Sequence, residues 1–443
     1  MQLVRGRFWP LAILAAAALV AALVFFSANT VGWAALLAIV LIVLLVAQAH
    51  PAVALPAYVG LGLRVGLLLI GTYIVALPDS QSDALRFERH GWEIAQSRAG
   101  DLQTYLSGHA RAYEFLIAVF YSAFGRCPMV LLALNVLLGT LSIFETHRVA
   151  LMLWGPTSAR RAAWAIAIMP TPVLYSALLL REAIVVYLGI RATRYVVEYL
   201  QRRNSMVLIR AFACFGLGGI LHAGLTLMIP VTLVVILTDG LAPGRTTVRY
   251  LPVVLPLVIV GFAMVFWLYQ QGWGFGKFGY MLQADMDGPM IRELYAGTPG
   301  VGAGYISLEA RTPADVLKQT PLRLLLFLFT PFPWMVSKPE HVMGLADAFI
   351  YWYLAYRTVR NCRAIWASPS RRSVLVLAFC LMWIYAMGSF NFGQSIRHRL
   401  KALPLLVALT LNVSRKSGQM STSEHRESTA TKGVPATHDL SRC

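Results

Sequence analysis

The sequence predicts an all-α fold: a polytopic transmembrane bundle of about twelve helices with two long polar loops on one side. Two observations carry this. Apolar residues make up 58% of the 443 residues, charged ones 13%, and the mean hydropathy is +0.64, whereas soluble domains run at about 45–50% apolar and 25% charged. The apolar residues also come in runs of about 20, the length that crosses a hydrocarbon layer. The net charge of +18 is explained by arginines that hold loops on the inner side of a membrane. There is no aromatic-basic RNA motif, so no nucleic-acid partner is expected. Five cysteines, scattered through or beside the spans, give neither a disulfide framework nor CxxC metal spacing.

The N-terminus, MQLVRGRFWP and then an apolar run, has no small-x-small cleavage site leading into a soluble domain. Residues 8–26 are therefore predicted as a retained anchor. The further spans are 31–49, 52–77, 127–150, 162–179, 183–200, 206–221, 222–238, 249–270, 341–358, 373–389 and 400–413. Two apolar stretches, 113–125 and 320–334, are too short or too broken by proline to cross. They are predicted as interfacial helices with protein covering their backbone. Arg5 and Arg7 hold the N-terminus inside. With those two stretches as half-helices, the clusters Arg160–Arg161, Arg202–Arg203, Arg245 with Arg249, and Arg357 to Arg372 all fall on the same inner side. Loops 78–126 and 271–340 and the segment Ser389 to Lys401 then share the outer face. Residues 1–413 form one membrane domain. Residues 414–443, rich in Ser, Thr, Lys and His, cannot bury a core and are predicted as a disordered cytoplasmic tail. No repeat of fixed period is present.

Three stretches carry candidate chemistry. As a helix, 82–98 puts Ala84, Phe87, Gly91, Ile94 and Ala95 on one side, and Asp83, Arg86, His90 and Glu93 on the other. Such an amphipathic helix suits a membrane surface. Asp79 stands just before it, where a carboxylate can take a proton from an attacking hydroxyl. These charges also fit a solvated face with local ion pairs. Next, Arg181 and Glu182 interrupt about forty otherwise apolar residues. Ionisable groups at membrane depth are costly unless paired or facing water; an interfacial turn with snorkelling charges is the plainer alternative. Third, Arg397, His398, Arg399 and Lys401 open the last span. A helix start with guanidiniums suits a lipid phosphate or pyrophosphate, and contact with acidic headgroups is the plainer reading. Asp285 and Asp287 are too few acids in too flexible a loop for a metal site, so no metal or other cofactor is expected. Gly272, Gly274, Gly276 and Gly279 lack the strand and helix that frame a nucleotide loop. Asn135, His147 and His222 are lone polar groups that fit helix packing better than ligation.

In order along the chain, these segments resemble the GT-C class of membrane glycosyltransferases, which use polyprenyl-linked sugar donors. Asp83-Ala84-x-x-Phe87 resembles the acidic start of that family's first outer loop. YEFLIAVFYSAFG (Tyr113 to Gly125) resembles its short interfacial helix, and LLALNVLLGTLSIFETHRVALMLWG with ARRAA its next crossing and inner turn. MPTPVLYSALLLREAIVVY, PFPW at Pro331–Trp334 and RHRLKALP at Arg397–Pro404 are similar to landmarks of its bacterial polysaccharide-assembly members. The likeness covers about 80–400 in order of weak motifs. It implies a GT-C-like, inner-membrane enzyme whose periplasmic face holds the site, with a lipid phosphate as leaving group. Asp83 would be the base and Asp79 its understudy. Glu182 would be a second acid, Arg397 and Arg399 phosphate partners, and Arg86, His90, Arg181 and His398 further binding residues. The partners would be a lipid-linked saccharide donor, a saccharide acceptor, membrane lipids and polysaccharide-assembly proteins. The chain departs from the protein O-mannosyltransferases, whose acid follows the first span, usually as an acidic pair. Here three spans come first, which moves it toward polymerases of lipid-linked repeat units. A flippase of lipid-linked glycans would use the same basic sites, but matching halves of the chain are not seen.

Overall fold

The computed structural model describes residues 28–97, 109–240, 256, 259, 315, 318–336, 339–389 and 392–412. The described elements are helical: α1 Ala28–Gln48, α2 Pro51–Tyr73, α3 Asp83–Ser97, α4 His109–Phe124, α5 Pro128–Trp154, α6 Pro156–Ile168, α7 Pro170–Ser176, α8 Glu182–Arg202, α9 Ser205–Leu221, α10 Met228–Gly240, α11 Thr320–Phe329, α12 Pro339–Arg360, α13 Cys362–Trp366, α14 Pro369–Met387, α15 Phe392–Arg399 and α16 Leu403–Thr410. Predicted spans 8–26 and nearly all of 249–270, most of loop 271–340 with Asp285, Asp287 and its glycines, and the tail 414–443 lie outside the described residues.

Proline sets many of the boundaries. Pro51, Pro128, Pro156, Pro170 and Pro369 each open a helix, where the missing N–H loses no bond. Gly155 takes φ +89°, a region that side chains avoid, and turns the end of α5 into α6. Met169, before Pro170, is extended at ψ 133° and breaks the predicted span 162–179 into α6 and α7.

Among the described residues, four helices are long and apolar enough to cross a membrane: Asn29–Gln48, Pro51–Tyr73, Pro128–Trp154 and Pro369–Met387. Predicted spans 8–26 and nearly all of 249–270 lie outside those residues, and the other differences from the predicted spans have identifiable reasons. The predicted span 400–413 is the clearest difference. Its helix, Leu403–Thr410, is eight residues, a rise of about 12 Å, and every one of them is buried. It is a core helix packed against α5, α6, α12 and α14. An apolar run of that length is a buried segment more often than a crossing. Helix α8 carries Arg191 and Arg194, and α9 has 17 residues. The two helices predicted for the interface form as α4 and α11. The amphipathic reading of 82–98 also holds: α3 runs Asp83–Ser97 and buries Ala84, Phe87 and Gly91.

Helix α5 is central, touching α1, α2, α6, α8 and α16, while α3 packs along α4. Arg64 of α2 is fully buried without a carboxylate partner in hydrogen-bond reach. Its guanidinium donates to Ile166 O at 3.1 Å and Ala167 O at 3.3 Å. These are late carbonyls of α6, and a cation there is favoured by the helix dipole. Its Nε faces Ser176 Oγ at 3.4 Å, so one side chain holds both halves of the broken helix. Gly139 of α5 makes room for this. A Cβ there would land on Ser176 Oγ and lie 3.1 Å from Arg64 Nε. Gly139→Val is therefore expected to cost about 1–3 kcal/mol by overpacking, read as a lower Tm of the purified protein in detergent.

Candidate functional site

The segment between α7 and α8 is not helical, and Asn135 holds it. Its amide donates to Leu178 O at 2.7 Å and Leu180 O at 2.9 Å. This is the packing role predicted for Asn135, and it fixes where Arg181 and Glu182 begin α8. Glu182 is buried, 1% exposed. Its Oε1 meets Arg397 Nη2 at 3.1 Å and Nε at 3.3 Å, with Lys401 Nζ at 3.8 Å. Arg397 Nη1 reaches the other way and donates to Asp83 Oδ2 at 2.6 Å. Burial opposes the charge on Arg397, but Glu182 and Asp83 outweigh it and raise its pKa. Residues separated by 314 and 215 positions thus share one guanidinium.

The surrounding groups extend this cluster. Arg86 Nη2 pairs with Asp83 Oδ1 at 3.0 Å. Arg181 donates to Leu221 O at 2.8 Å, and its guanidinium lies 5.8 Å from the Phe87 ring centre. Asp79, in the left-handed region at φ 62°, accepts from the hydroxyl of Tyr175, which lies within electrostatic reach of Arg397 and Glu182. His398 Nδ1 is 2.8 Å from Ser389 Oγ, and its ring packs against His222 and Tyr385. Lys401 Nζ sits 5.0 Å from the Tyr385 ring centre. Glu182 Oε2, Arg181 Nε and the Tyr385 hydroxyl are buried and have no hydrogen-bond partner among the described residues. Buried polar atoms are rarely left so, and these three belong to residues within electrostatic reach of one another. Among the described residues, Arg86, Arg181, Arg397 and Lys401 stand with three carboxylates, Asp79, Asp83 and Glu182. Basic side chains outnumber acidic ones by one, which favours an anion.

No family model matches the chain, and no curated protein matches it. Among solved structures it is similar to the apo crystal structure of the Archaeoglobus fulgidus oligosaccharyltransferase, with a TM-score of 0.43 and 14% identity. The match covers 81% of this chain and 50% of that one, so the chain spans half that protein's length. A likeness of this size leaves the chemistry to the side chains.

The structure brings Asp83, Glu182 and Arg397 into direct contact and sets Asp79, Arg86, Arg181 and His398 beside them. It separates two of the predicted binding residues. His90 pairs with Glu114 of α4 at 3.2 Å, away from Arg397. Arg399, predicted as a phosphate partner, is fully buried and paired with Asp347 at 2.6 Å. It also donates to Phe327 O, Leu328 O and Thr330 O, capping the end of α11. With its donors taken up this way, it has a structural task. His222, read as a packing residue, borders the cluster. Tyr175 and Tyr385 carried no sequence signal. Lys401 did, since it falls four residues after Arg397. Among the described residues, no three His, Cys, Asp or Glu side chains gather as metal ligands.

Two outcomes follow. Arg399→Met strands the buried Asp347 carboxylate and is expected to cost about 3–5 kcal/mol, with Arg399→Met/Asp347→Asn recovering part of it in thermal unfolding. In α3, the Glu88 carboxylate takes a two-pronged contact from Arg126 at 2.8 and 2.9 Å and a bond from Tyr121. The Arg126 contact holds the Glu88 pKa below its ordinary value. Its stabilisation is therefore complete above the unfolded value of about 4.3 and is lost as pH falls through the lower folded value. A Tm-versus-pH profile should show the wild-type advantage over Glu88→Gln disappear on acidification.

Proposed function

We propose that the chain is an integral inner-membrane glycosyltransferase of surface-polysaccharide assembly, using a polyprenyl-phosphate or diphosphate sugar at the periplasmic face. The proposal includes the sidedness read from the arginines for loops 78–126 and 271–340. The observation that carries it is Arg397 bridging Asp83 and Glu182, beside an excess of cations and orphaned polar atoms. A lipid phosphate is the anion that a positively charged pocket at a water–lipid boundary would meet.

The chemistry needs little more. The donor phosphate takes donors of Arg397, Arg181 and Lys401. Arg397 then loosens its hold on Asp83, which becomes a better base. Asp83 accepts the proton of the acceptor hydroxyl, and the oxygen forms its bond to the anomeric carbon. The bond from that carbon to the phosphate oxygen breaks, and the electron pair leaves on the lipid phosphate, where the cations stabilise it. Glu182 stays in place and orients Arg397. Asp79, held by Tyr175, is the second candidate base.

The test is turnover of a defined polyprenyl-diphosphate sugar by the purified protein in liposomes. Wild type should transfer the sugar. Asp83→Asn should lower kcat by about 100-fold or more with little change in Tm. Arg397→Gln should lower kcat at least as much and also lower Tm, because the buried Glu182 loses its main partner. Full turnover in both variants would overturn the site. Relocation of unchanged donor across the bilayer, without product, would overturn the reaction in favour of a carrier.

A further inference from the structure

A second charged cluster lies beside the start of α2 and midway along α8, where Arg191 and Arg194 stand nine and twelve residues after Glu182. Glu145 of α5 is buried, 4% exposed. Three guanidiniums surround it: Arg194 at 3.1 Å, and Arg148 and Arg191 each at 3.7 Å. Arg148 Nη2 also lies 3.0 Å from His50 Nε2. Three guanidiniums against one carboxylate give this group a net charge of +2. Buried charge is tolerated when it is paired, and among the described residues the three guanidiniums share one carboxylate.

The depth of the cluster is set by His50, which stands in the short turn between α1 and α2. Both helices are long and apolar enough to cross, so a turn between them lies at the membrane boundary, at the level of headgroups. The cluster faces outward there: the Arg148 and Arg191 side chains are 41% and 36% exposed. Tyr187 and Tyr195 stack on the guanidiniums of Arg191 and Arg194, and such rings favour the interface. Leu55 and Leu151, both exposed, offer apolar surface on the same helices for an acyl chain.

We infer that Arg148, Arg191, Arg194 and His50, held by Glu145, bind the phosphate of an anionic bilayer lipid at the inner face. Guanidiniums match phosphate oxygens in pairs, and basic pockets between helices on that side take acidic headgroups. Glu145 acts as the scaffold that keeps the arginines from spreading into solvent. The inference rests on the membrane placement in the proposal above and not on its catalytic step.

The experiment titrates purified full-length protein in neutral detergent with short-chain phosphatidylglycerol, phosphatidylcholine or inorganic phosphate, and reads Tm. Phosphatidylglycerol should raise Tm by several degrees and phosphatidylcholine should not. Arg148→Gln/Arg191→Gln should need at least tenfold more phosphatidylglycerol for the same shift, while Arg210→Gln, on the exposed face of α9, should match wild type. Arg148→Lys/Arg191→Lys, which keeps the charge, should retain part of the shift and serves if the glutamine variant does not fold. An unchanged phosphatidylglycerol response in the charge-removing variant would overturn the inference, or in Arg148→Ala alone if neither double variant folds. Inorganic phosphate reproducing the full shift would also overturn it, since the ligand would then be the free ion. Sugar transfer lost through Asp83→Asn with the lipid response intact would separate this site from the catalytic one.

Discussion

The arrangement depends on one side chain, Arg397, pulling two carboxylates from distant parts of the chain onto a single guanidinium. Removing three charges from water is expensive, and their attraction repays it only where geometry is good and every partner stays. The fold supplies that geometry through polar contacts that are not themselves charged. Asn135 fixes the turn ahead of Glu182, Arg64 ties α6 to α7, and α3 delivers Asp83 from its first turn.

Three arginines near the centre divide into two kinds. Arg64 directs its donors to carbonyls at helix ends, and Arg399 does the same while also pairing with the buried Asp347. A backbone carbonyl cannot leave without unravelling the helix, so these two are part of the frame. Arg397 directs its donors to carboxylates, one of which, Asp83, has a third of its side chain exposed. A partner of that kind can be exchanged for another anion. The contrast explains why Arg397 and not Arg399 is placed at the proposed reaction centre, although both stand in one short basic run.

Much of this was readable in the sequence, and the gaps have physical causes. Helix α3 and its buried side follow from 3.6-residue periodicity and a clean split between apolar and charged positions. Asp83, Glu182 and Arg397 stood out because charge in an apolar chain is rare. The count of crossings was less legible. Hydropathy cannot tell a lipid-facing helix from one buried in protein, and Leu403–Thr410 is the second kind. Arg64, Glu145 and Asp347 are also ionisable residues within apolar runs, and nothing in their local spacing shows what they pair with. Pattern along the chain does not show which charges meet, and Arg399 shows the reverse error. Its neighbours Asp347 and Thr330 are 52 and 69 residues away, and no local spacing shows that they take up its donors.

The sharpest test of a shared centre is a double-mutant cycle on turnover with Asp83→Asn, Arg397→Gln and the pair, using the lipid-linked donor in liposomes. If the two side chains act as one unit, the double variant will lose little more than the worse single variant. Losses that multiply would place the two residues in separate roles and contradict the account.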